Sequence, residues 1–218
     1  MNLALLDALI DFDLWVAGFS LVITFLIAAF SCRAYLLTHM RKQLYFSFAF
    51  ASIAGGLLLA FIFNLLVEFE VVAVGVRGYL PITYWMGLML LAAMFATLVG
   101  YMSIFIINEE LKSRKTIFLL YAFTLFAVLV SHDFYFMYHL TAFLILAMIF
   151  NHYYWNNRKH KTAGTRFSML AFCGLFLSHA VMMFIPYNPV FYVLGHLVQL
   201  VSFGLLLAVF FSLWRGSK

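Results

Sequence analysis

The sequence predicts an all-α, polytopic integral membrane protein: a seven-transmembrane-helix bundle with its amino terminus outside and its carboxyl terminus cytoplasmic. Three observations lead there. Of 218 residues, 67% are hydrophobic and 10% charged, with a mean hydropathy of +1.05, a balance foreign to soluble globular domains. The apolar residues fall into seven runs, each near the ~20 residues that cross about 30 Å of hydrocarbon. With seven crossings, twelve of the thirteen Lys and Arg residues collect on one face.

The runs follow in order. The first, 14–32, comes after an acidic start bearing Asp7, Asp11 and Asp13. The second, 45–67, follows Arg41 and Lys42 and contains Gly55 and Gly56; the third, 83–107, contains Gly87 and Gly100. Small residues of this kind permit close helix contacts, and simple tolerance by lipid accounts for them as well. The fourth run, 116–131, is the shortest and turns through Ser131, His132 and Asp133 into the fifth, 134–155. One helix over 116–155 would overshoot the bilayer about twofold, so this stretch is expected to be a hairpin. The sixth run, 166–185, stops at Pro186, and the seventh, 190–214, starts after Pro189. None alternates strictly, which excludes a β-barrel.

Orientation comes from charge. Arg33, Arg41, Lys42, Lys112, Arg114, Lys115, Arg158, Lys159, Lys161, Arg166, Arg215 and Lys218 share one face, opposed only by Arg77. By the positive-inside rule that face is cytoplasmic. The tryptophans Trp15, Trp85, Trp155 and Trp214 sit at segment ends, where interfacial aromatic belts belong. The net charge of +5 is then a fringe facing anionic lipid and calls for no nucleic-acid partner. A single domain over residues 1–218 in the plasma membrane is expected. The acidic start argues against a cleavable signal peptide, and only Arg215 to Lys218 follow Trp214, so no kinase or cyclase domain is expected. Cys32 and Cys173 are poor disulfide candidates, one at the inner end of the first run and one inside the sixth.

Chemistry concentrates in His139, His179 and His196. They lie about five, seven and six residues from the outer ends of the fifth, sixth and seventh runs, hence on the order of 8–10 Å deep. Intramembrane ionisable residues usually face a bundle interior and mark function, and consecutive helices on short loops are usually neighbours. Candidate supporting groups at this level are Gln199, Ser178, Tyr135, Asn64, Glu68 and Tyr84, with His132 and Asp133 in the hairpin turn and Met137, Met182 and Met183 as possible thioether donors. His39, His152 and His160 accompany the basic loops and read as solvated or lipid-facing.

Three accounts of the trio stand open. Two of the histidines ligate haem b from opposite faces, within a Phe-rich interior. All three bind zinc or copper, with His132, Asp133 or Glu68 as a further ligand. Or each merely hydrogen-bonds a neighbouring helix, at about 0.6 kcal/mol on average. No Asp, Glu, Lys or Arg lies inside a predicted helix core, which counts against ion-coupled transporters and proton pumps. The last helix has no lysine for retinal, and no hydrolase triad or phosphate-binding loop is present. Tyr192 to Leu207 (YVLGHLVQLVSFGLLL) resembles the final membrane helix of some sensor modules of prokaryotic histidine kinases, over that one helix. The expectation is electron transfer or sensing at a cofactor-bearing histidine site, with protein partners in a larger membrane complex. The alternative is a non-catalytic accessory subunit.

Overall fold

The computed structural model describes residues 3–68, 80–131, 136–188 and 190–216. Arg77, His132, Asp133, Tyr135 and Lys218 lie outside them, as do the side chains of Glu68, Tyr84 and Trp214. The chain is all-α there: α1 Leu3–Thr38, α2 Arg41–Glu68, α3 Leu80–Asn108, α4 Arg114–Ser131, α5 Phe136–His160, α6 Ala163–Met182 and α7 Val190–Gly216. All seven are long and apolar enough to cross a membrane, so the fold is that of a multi-pass membrane protein.

Most helices outrun the apolar runs that announced them. α1 begins at Leu3 and takes in the acidic segment, and α5 continues through Arg158 and Lys159 to His160. Hydrocarbon length bounds the apolar stretch, whereas the helix itself continues wherever backbone hydrogen bonds can, with long basic side chains reaching the interface. α6 is the exception. It stops at Met182, three residues short of its apolar run, and single turns continue through Phe184 N–H to Val181 O (3.0 Å) and Ile185 N–H to Met182 O (3.2 Å). Pro186 disfavours helical backbone at the residue before it. At its other end α6 is set by a reciprocal capping box, Thr162 with Thr165, which satisfies two otherwise orphaned N–H groups.

Six helices close into a ring. α1 packs on α2, α2 on α3, α3 on α5, α5 on α6, α6 on α7, and α7 returns to α1, while α4 touches only α3 and α5 and stands outside. The α2–α3 seam depends on glycine. A Cβ on Gly100 would stand 2.7 Å from the Ala49 carbonyl oxygen, and one on Gly56 the same distance from that of Ala93. Gly55 and Gly87, by contrast, have nothing within 4 Å, so contact and tolerance each explain some of these positions. The α6–α7 seam is closed in the same way by Gly174 against Ser202 and Gly195 against Met182.

Polarity is sorted inward. Buried polar residues include Ser20, Thr97, His139, His179 and Gln199, whereas Phe19, Phe25, Phe118 and Phe126 are exposed, as are Trp15, Trp85 and Trp155 at the ends of their spans. The buried hydroxyls of Thr24, Thr97 and Thr124 are satisfied within their own helices, as when Thr97 donates to Ala93 O at 2.9 Å. The described basic residues cluster at the α1–α2, α3–α4 and α5–α6 connections and at the end of α7, one end of an up-and-down bundle.

Candidate functional site: a histidine cavity inside the ring

The three histidines approach the ring interior from the end opposite the basic fringe. His139 stands on the first turn of α5, His179 on the last turn of α6, and His196 two turns into α7. Short connections reverse the chain between these helices, so residues near a start and near an end come to one level. All three line a single cavity of about 300 Å³, at the small end of ligand-site volumes. Every ring helix contributes to its wall, including Ser20 from α1, Asn64 from α2 and Thr97 from α3, and α4 contributes nothing.

Two of the histidines touch. Nδ1 of His139 and Nδ1 of His179 are 3.0 Å apart, and both side chains are only 2% exposed. One nitrogen must donate and the other accept, so the pair holds a single proton between its Nδ1 atoms and the rings are opposite tautomers. It follows that one Nε2 is an acceptor and the other a donor. Aromatic rings fix the pair: Tyr138 stands edge-on to His139 at 5.0 Å and to His179 at 5.7 Å, and Tyr101 to His179 at 5.9 Å.

His196 is half-buried on the same wall, with Tyr192 packed edge-on at 4.4 Å between centroids. Gln199, one turn further along α7, is buried and also lines the cavity. His179 Nε2 and Ser20 Oγ are buried on this wall with no hydrogen-bond partner among the described residues. Such atoms cost free energy unless something in the cavity meets them.

The predicted neighbours divide. Asn64, Gln199 and Met182 line the cavity. Ser178 does not serve the pair, because its hydroxyl donates to Leu175 O at 2.6 Å, and Met137 is exposed. His132, proposed as a further ligand, lies outside the described residues. Tyr138, Tyr192, Ser20 and Thr97 were missed by sequence reasoning. Tyrosine at a membrane interface and hydroxyls within a helix are common enough to carry no signal of their own. His152, expected to be solvated or lipid-facing, keeps a partly exposed side chain, with Nδ1 3.3 Å from the exposed Glu109 carboxylate.

The predicted cofactors can be weighed against this geometry. A haem held by His139 and His179 from opposite faces needs the macrocycle between two nitrogens that stand in hydrogen-bond contact. Among the described residues, no three His, Cys, Asp or Glu side chains are grouped closely enough to hold a metal ion. Among the described residues no Asp, Glu, Lys or Arg lines the cavity, so none of them offers a counter-charge to a divalent ion in that low-dielectric setting. Compared with protein families, curated proteins and solved structures, the chain matches none.

Proposed function

We propose that this chain is a membrane-embedded binding subunit, acting in sensing within a larger complex, whose ligand is a small uncharged molecule with both hydrogen-bond donors and acceptors. The observation that carries this is one cavity walled by His139, His179, His196 and Gln199 on which His179 Nε2 and Ser20 Oγ are buried without partners among the described residues. An apolar pocket with a few convergent polar groups is the usual form of a small-molecule site. His179 Nε2 and the Ser20 hydroxyl, which can both donate and accept, suit such a ligand. The basic end is cytoplasmic by the positive-inside rule, which puts the cavity in the outer half of the bilayer, open to signals from outside. The test is solvent extraction of detergent-purified protein followed by mass spectrometry, beside His179→Leu. A compound recovered from the wild type and absent from the variant is expected. Identical extracts would refute the reading.

A second reading is favoured by one distance. Two nitrogens each ~2.0–2.1 Å from one tetrahedral metal ion stand about 3.3 Å apart, close to the 3.0 Å between His139 Nδ1 and His179 Nδ1. In that reading the pair holds a transition-metal ion, and the uncharged wall prefers monovalent copper to zinc. The ion would serve electron transfer. Elemental analysis of the same samples separates the two: about one metal ion per chain, lost in His139→Leu, would establish it.

A further inference from the structure

At the basic end, away from the histidine cavity, α2 and α4 do not pack on one another. The wedge between them, floored by α3, is a groove of about 870 Å³. Its walls are apolar, with Phe48 from α2, Ile106 from α3 and Ile117 from α4. Its inner end is sealed by the hydroxyls of Ser103 and Tyr121, 2.8 Å apart. Lys42 and Lys112 line its mouth, and neither makes an ion pair among the described residues. Glu110 shares that rim. α4 is also the shortest helix, with 18 residues, or about 27 Å at 1.5 Å per residue.

We propose that this groove holds one anionic phospholipid with a polyol headgroup, its phosphodiester between Lys42 and Lys112 and one acyl chain along Phe48, Ile106 and Ile117. Charge and shape both select that occupant. A basic mouth at headgroup depth above an apolar slot open to the bilayer is the arrangement by which helical membrane proteins take anionic lipid. Glu110 disfavours a doubly charged phosphomonoester and accepts hydrogen bonds from headgroup hydroxyls.

The test is native mass spectrometry of the full chain in mild detergent, titrated with phosphatidylglycerol or with phosphatidylcholine of the same acyl chains. One phosphatidylglycerol should bind per chain, in preference to phosphatidylcholine, and millimolar inorganic phosphate should not displace it. Each lysine near the surface is worth roughly fivefold, so Lys42→Gln/Lys112→Gln should weaken binding about 25-fold. Ile117→Trp, which fills the slot and leaves both lysines in place, should weaken it too. Lys159→Gln/Lys161→Gln, on the same face outside the groove, should not. Equal affinity for the two lipids, equal losses in both double variants, or displacement by phosphate alone would each overturn the proposal.

Discussion

Replacing His139 with leucine tests the histidine pair through an asymmetry in its energetics. The Nδ1–Nδ1 bond joins α5 to α6, and His179 is 2% exposed with no partner at Nε2 among the described residues. Without His139, His179 Nδ1 loses its bond and the buried ring is left with no partner among the described residues, and a buried unsatisfied polar group costs about 1–3 kcal/mol. His179→Leu should cost a similar amount, by leaving His139 Nδ1 without its bond. His139→Leu/His179→Leu removes both groups at once, and paired apolar replacement of similar shape is often nearly neutral. The double variant should therefore be more stable than the sum of the singles predicts. Couplings of interhelical hydrogen bonds in membranes average about 0.6 kcal/mol and reach about 1.7 in double-mutant cycles. Unfolding in mixed micelles, followed by circular dichroism, supplies the four corners of the cycle. Strict additivity would refute the coupling, and with it the claim that these residues form one unit.

Further predictions concern the ring and its turns. Gly100→Ala forces a Cβ to 2.7 Å from the Ala49 carbonyl and should cost about 1–3 kcal/mol; Gly55→Ala on the partner helix α2, with open space around it, should gain up to about 1 kcal/mol. Thermal melting of both variants checks this, and equal shifts would contradict the packing. Lys161 follows α5 with a φ of 43°, a left-handed backbone that costs a side-chain-bearing residue roughly 1–2 kcal/mol. Lys161→Gly should accordingly raise the melting temperature, and a fall would count against that turn geometry.

The fold was legible because hydrocarbon thickness and charge placement act on composition, and composition is visible in a linear string. Seven runs became seven helices, and the α4–α5 hairpin separates two spans where one helix would have overshot. The common level of the histidines was legible too, since rise per residue converts position into depth. Rotation about each helix axis was not. Nothing in the string distinguishes His139 and His179, which meet, from His196, which lines the same wall without joining a three-ligand group. The ring was equally hidden: α4 precedes α5 in the chain but stands outside, and α3 packs on α5 directly. Gly56 and Gly100 look like Gly55 and Gly87 in sequence, and only the facing carbonyls separate them.

The most direct test of the central claim is a native mass spectrum of the protein extracted in mild detergent, recorded beside Ser20→Leu. Ser20 is 1% exposed, its hydroxyl has no partner among the described residues, and it lines the histidine cavity, so leucine there fills space while leaving every histidine unsubstituted. The account predicts a wild-type chain carrying one small non-covalent ligand, and a Ser20→Leu chain that melts at the same or a higher temperature with that mass gone. A wild type that carries nothing at this site, or a variant that keeps the ligand, would contradict it.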